Sequence, residues 1–119
     1  MTTITLPTLA DGERYAGLIL NTEGQPTHHL ILLPGDTKAT WKKATDFAAE
    51  AGGELPTRQE QALLYANCKD GFKADWYWSS ETHASVSDCA WVQHFYSGCQ
   101  SYGRKVSSCR ARAVRRLAI

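Results

Sequence analysis

The sequence predicts an α+β fold in which two helices pack on short, twisted antiparallel strands. Three observations carry this: two β-rich runs near the start, two stretches of helical spacing in the middle, and, beyond residue 68, a return to short aromatic or alternating segments broken by glycine and serine.

Residues 14–20, "RYAGLIL", and 27–33, "THHLILL", are separated by "NTEGQP", whose Asn, Gly and Pro are turn formers, so the two runs read as a hairpin. Within it the doublet His28 and His29 should turn one ring outward and pack the other. "ATWKKATDFAAEAGG" then places Trp41, Ala44, Phe47, Ala48 and Ala51 on one helical face, with Thr40 as the cap and Gly52 and Gly53 as the stop. In "ELPTRQEQALLYANC", Thr57 and Glu60 form a capping box ahead of the apolar run Ala62–Tyr65, which predicts a second helix. Downstream, "DWYWSSET", "CAWVQHFYSG", "SYGRKVSS" and "RARAVRRLAI" read as strands and long surface loops, with no further helix. The last alternates without a cleanly apolar side, which suits one strand covered on both faces.

A chain of 119 residues, 43% of them hydrophobic, fits one domain over residues 14–119, preceded by a polar arm, residues 1–13, that docks on a neighbour or is unstructured. A formal net charge of +1 gives no global pull toward nucleic acid or a membrane. No apolar run approaches a spanning helix and no export signal is seen, so a bacterial-type cytoplasm is expected and no membrane insertion. There the four cysteines, Cys68, Cys89, Cys99 and Cys109, would be reduced.

The chemistry-bearing residues point to no reaction. From residue 89 the cysteines are spaced ten apart, without the close pairs of a zinc site; Cys68, His83, Cys89 and His94 would have to converge through the fold. A cysteine nucleophile would need His83 or His94 beside Cys89 or Cys99. There is no paired-carboxylate motif and no phosphate-cradling glycine loop, so no catalytic residue, metal or cofactor is assigned. The arginines of "RARAVRR" read as bridges between packed strands, because no stacking motif or recognition helix accompanies them, and no nucleic-acid partner is expected. What remains is recognition: between 89 and 109, Tyr96, Tyr102, His94, Ser97 and Ser101 alternate with the framework-like Trp91, Gln93, Phe95, Gly98 and Gln100, a mixture like that of antibody binding loops.

In order along the chain, "ATWKKATDFAAEAGGELPTRQEQALLYAN", "WYWSSE", "AWVQHF" and "RARAVRR" resemble a phage and bacterial domain family of unknown function with a C-type lectin-like, or formylglycine-generating-enzyme-like, fold. The "LPT" helix start, "WSS" strand and closing "VR" strand carry the resemblance, which spans about residues 28 to 117. Within that family the chain is similar to the variable proteins of diversity-generating retroelements, whose C-terminal segment is rewritten by adenine-directed reverse transcription. The resemblance implies a non-enzymatic ligand-binding display protein of a phage or prophage, in the bacterial cytoplasm or on a virion. Its partner would be a protein or glycan, and it would act as a homo-oligomer or attached to a phage or cell-surface assembly. Asparagine-type codons altered at their adenines can encode Cys89, Val92, His94, Tyr96, Ser97, Cys99, Ser101, Tyr102, Gly103, Arg104, Val106 and Ser107, and these are the implied variable surface within a region of about 89–109. Trp91, Gln93, Gln100 and Lys105 are unreachable from such codons. Trp41, Phe47, Trp76, Trp78, Trp91 and Phe95 would form the supporting aromatic frame. The alternatives are a phage structural or adhesive domain with a fixed surface, and a thiol enzyme related to formylglycine-generating enzymes. Calcium-dependent sugar binding is not implied, since no E-P-N, Q-P-D or W-N-D motif is present.

Overall fold

A computed structural model describes residues 4–119; residues 1–3 of the expected arm lie outside the described residues. The described residues form an α+β protein of two α-helices and two sheets. Strands β1 (Arg14–Leu20) and β2 (Pro26–Leu32) form the expected antiparallel hairpin, and β8 (Val114–Ala118) pairs with β2 to complete a three-stranded sheet in the order β1-β2-β8. The second sheet has the order β3-β7-β4-β5-β6, from β3 (Thr37–Ala39), β4 (Trp76–Thr82), β5 (Cys89–His94), β6 (Gln100–Arg104) and β7 (Cys109–Ala111).

Helix α1 (Trp41–Glu50) covers one face of the larger sheet, where Ala44 and Ala48 meet Trp78, Ala90, Val92 and Ala111. Helix α2 (Arg58–Cys68) covers the other face and reaches the small sheet, so Leu64 and Cys68 share a core with Ile19, Leu30, Tyr77 and Phe95. Tyr77 and Trp78, adjacent in β4, thus enter opposite cores, as the twofold period of a strand requires. Leu30, Ile31, Leu32 and Leu33 are all buried, since β2 is the central strand of its sheet. Trp78 and Phe95 are buried frame residues; Trp41, Phe47 and Trp76 pack at the edge of the second core, while Trp91 lies outside both.

The capping box forms as expected: Glu60 N donates to Thr57 Oγ1 at 3.1 Å and Thr57 N to Glu60 Oε1 at 2.8 Å. Thr40 occupies the cap position of α1, but its side chain makes no capping bond; Trp41 N donates to the Lys105 carbonyl at 3.0 Å, so the β6–β7 turn ties down that helix start. Ala51, expected on the buried face, sits exposed at the helix end. The stop is as predicted. Gly52 has φ +89°, and a Cβ at Gly53 would collide with the Val114 carbonyl.

Two expectations are corrected. A 3₁₀ turn, Lys69–Gly71, follows α2 where no helix was expected. The closing segment is two strands rather than one: Cys109–Ala111 joins the larger sheet, Val114–Ala118 the smaller, and the chain crosses between them at Arg112 and Ala113. The missing apolar face follows from that crossing. Arg110 bonds Asp36 and Asp75, Arg115 bonds Glu13, Arg116 bonds Glu54 and Glu60, and Arg112 donates to the Gly71 and Leu33 carbonyls. The Arg115–Glu13 pair also holds the segment before β1 against β8. Among the described residues no helix is long and apolar enough to cross a membrane.

Candidate recognition surface

The stretch rich in binding-type side chains folds as the β5–β6 hairpin and the turn that follows it. Its register is regular, with Trp91 opposite Tyr102, Val92 opposite Ser101 and Gln93 opposite Gln100. Directly opposed residues share a face. Trp91, Gln93, Gln100 and Tyr102 therefore look toward the start of α2, and Val92, Ser101 and Gly103 toward the α1 side. β6 is the edge of the sheet.

The twelve candidate residues do not form one continuous patch. Tyr96, Ser97 and Cys99 are exposed at the β5–β6 turn, where Gly98 has φ +80° and a Cβ would press on the Tyr65 ring. Arg104, the last residue of β6, and Val106 and Ser107 beyond it are exposed at the other end, and the length of β6, about 17 Å, separates the groups. Tyr102 is half exposed between them, touching Trp91 and His83 at ring-centroid distances of 5.6 and 4.4 Å. Ser101 and Gly103 are partly buried, and so is His94, whose ring meets Trp76 edge-on at 4.9 Å.

Cys89 and Val92 have to be withdrawn from the surface. Cys89 is 7% exposed and Val92 4% exposed, the latter in the core beneath α1. β5 is covered on both faces, so alternation along it does not separate inside from outside. Residue type is silent on that point.

The residues unreachable from asparagine-type codons hold the hairpin. Gln93 Nε2 donates to the Gln61 carbonyl at 2.9 Å, and Gln100 Nε2 donates to both Gln93 Oε1 and the Arg58 carbonyl. Arg58 Nε in turn donates to Gln100 Oε1 at 2.9 Å, while its guanidinium carbon lies 3.5 Å from the centroid of Trp91. Lys105 places its ammonium 4.4 Å from the centroid of Trp41. Between α2 and the hairpin turn runs an open groove of about 860 Å³, lined by Thr57, Arg58, Tyr65, Glu81, Ser97 and Gln100 among others. Sequence reasoning missed Arg58 and Glu81. Neither belongs to a recognisable spacing, and only the fold brings them beside the hairpin.

The cysteines are all free and dispersed. Cys68, the last residue of α2, lies in the core that helix shares with the small sheet, and Cys109 packs at the edge of the other core; burial pushes both thiols above their usual pKa. Among the described residues no three His, Cys, Asp or Glu side chains gather, and no thiol bonds an imidazole. His83 Nδ1 accepts from the Ser85 and Val86 amides, and His94 Nδ1 accepts from the Tyr96 amide. His28 and His29 are likewise engaged, with Glu60 at 2.8 Å and the Tyr15 hydroxyl at 2.8 Å respectively.

Compared with known proteins, the chain matches no family model, and no curated protein matches it. Its class therefore rests on fold and site: an α+β protein whose most exposed aromatic side chains among the described residues, Tyr96 and Tyr102, sit on an edge hairpin.

Proposed function

We propose that this is a non-enzymatic recognition domain of C-type lectin-like fold, displaying an exchangeable surface on its β5–β6 hairpin and the following turn, as in the variable proteins of diversity-generating retroelements. The observation that carries the reading is the division of labour in residues 91–107. Trp91, Gln93, Gln100 and Lys105 make the stacking, amide and cation–π contacts that hold the hairpin. Tyr96, Ser97, Cys99, Arg104, Val106 and Ser107 are exposed, and the only side-chain hydrogen bond among them is a local one, from Cys99 N to Ser97 Oγ.

The hallmark motifs support the fold reading because they meet at one junction. Ser80 N, in "WSS", donates to the Pro56 carbonyl of "LPT" at 2.8 Å. Glu54, just before "LPT", bridges Val114 of the closing "VR" strand, and Arg116 Nη2 reaches the Leu55 carbonyl. Non-local contacts of this kind are what a family pattern would preserve across varying surfaces. The ligand is a protein or a glycan, and display in several copies would add avidity.

The burial of Cys89 and Val92 favours a fixed residue at those two positions. The second reading, a phage adhesive domain with an invariant surface, extends that to the whole hairpin. Sequencing the source DNA separates the two. A near-copy of the 3′ end differing almost only at adenines, beside a reverse transcriptase gene, is expected; its absence leaves the invariant domain.

A further inference from the structure

Resting on the recognition reading above, the geometry points to a constant anchor within the variable face: we propose that Arg58 and Glu81 bind a carboxylate flanked by an N–H, as at the C-terminal residue of a peptide. The framework residues of the hairpin converge on Arg58. Trp91 lies against its guanidinium at 3.5 Å, Gln100 accepts from its Nε and donates to its carbonyl, and Gln93 fixes Gln100. These contacts use one guanidinium nitrogen. Among the described residues nothing hydrogen-bonds the two terminal nitrogens, the pair suited to bidentate carboxylate recognition. A cation so immobilised loses little further entropy on binding.

Glu81 narrows the chemistry. Its Oε2 accepts from Arg58 N at 2.7 Å, and no described residue donates to Oε1. Both side chains line the open groove of about 860 Å³ with Ala62, Tyr65, Ser97 and Gly98. A bare carboxylate would meet the repulsion of Glu81. One carried beside an N–H donor satisfies both groups, and the apolar surface of Ala62 and the Tyr65 ring is left for a side chain. Arg58 precedes the rewritten segment, so the anchor stays constant while Ser97, which lines the groove, and Tyr96, its exposed neighbour in sequence, change what surrounds it.

The test is a titration of the isotope-labelled full chain, followed by amide chemical shifts, with N-acetyl-leucine, N-acetyl-leucinamide and 4-methylpentanoate. Saturable shifts at Arg58, Ser97, Gly98 and Gln100 are expected with N-acetyl-leucine, about tenfold weaker binding of the amide, and a few-fold loss for 4-methylpentanoate, which lacks the N–H. Arg58→Gln should abolish the acid preference, and Arg58→Lys, which keeps the charge without the fork, should reduce it. Equal binding of acid and amide, no saturable shift up to about 50 mM, or an acid preference unchanged in a folded Arg58→Lys protein overturns the proposal. The underlying reading fails separately. If Ser97→Tyr and Tyr96→Ala leave selectivity among N-acetyl amino acids untouched while the acid preference persists, the anchor stands and the exchangeable surface does not.

Discussion

The Glu60 side chain joins a helix start, the central strand of the small sheet and the closing strand. It caps α2, accepts two bonds of 2.7 Å from Arg116 and one of 2.8 Å from His28, and is 1% exposed. Burial alone would raise its pKa, but Arg116, the Thr57 amide and His28 outweigh burial and lower it. Glu13 moves the same way, from 4.5 to about 2, because Arg115 and the Ala10 amide bond its carboxylate. Groups whose folded pKa is depressed stabilise the fold above their unfolded pKa and lose that contribution as pH falls through the folded value. Stability should therefore decline from about pH 4.5 toward pH 2, measured by urea unfolding at a series of pH values. Glu60→Gln keeps the cap but strips Arg116 of its buried counter-charge; it should cost about 3 kcal/mol at neutral pH and flatten the acid decline. Equal slopes in the two proteins would contradict the assignment. Among the thiols, Cys99 alone is exposed, so a thiol reagent should label it rapidly in the native state, the half-buried Cys109 more slowly, and the buried Cys68 and Cys89 only on unfolding; Cys99→Ser should change stability by no more than about 0.5 kcal/mol.

At the scale of elements, the turns around α1 and α2 set how the two sheets meet. Thr57→Ala removes a capping partner and should cost about 1 kcal/mol. Gly53→Ala, which drives a methyl group into the Val114 carbonyl where the sheets are bridged, should cost more than that. Chemical denaturation of both variants checks the order, and a Gly53→Ala protein as stable as the parent would mean that the junction yields. The elements also show what a sequence can and cannot convey. The hairpin of β1 and β2, the capping box and the glycine stop are local, written within a few residues, and were legible. The division of "RARAVRRLAI" was not, since it depends on Arg112 finding carbonyls at Gly71 and Leu33 from distant parts of the chain. The burial of Cys89 and Val92 was hidden for a related reason: a strand covered on both faces loses the alternation that marks an outer side.

At the scale of the whole molecule, the surface proposed for recognition stands apart from the cores. Two cores, one on each face of the larger sheet, are built from α1, α2 and strands of both sheets, while the exposed hairpin residues contribute to neither. Part of the candidate site was visible as a run of tyrosine, serine and histidine, but Arg58 and Glu81 were not, because their meeting with the hairpin is a product of α2 packing beside β4 and β5. The most direct measurement is thermal unfolding of a protein in which Tyr96, Ser97, Cys99, Val106 and Ser107 are replaced together by alanine, alongside Gln93→Ala. The multiple variant should unfold cooperatively within about 5 °C of the parent, and the single buried change, which leaves the Gln61 carbonyl and the Gln100 amide short of partners, should lower the midpoint further. A multiple variant that loses its cooperative transition, or falls below Gln93→Ala, would show that the outer residues support the fold and contradict the account.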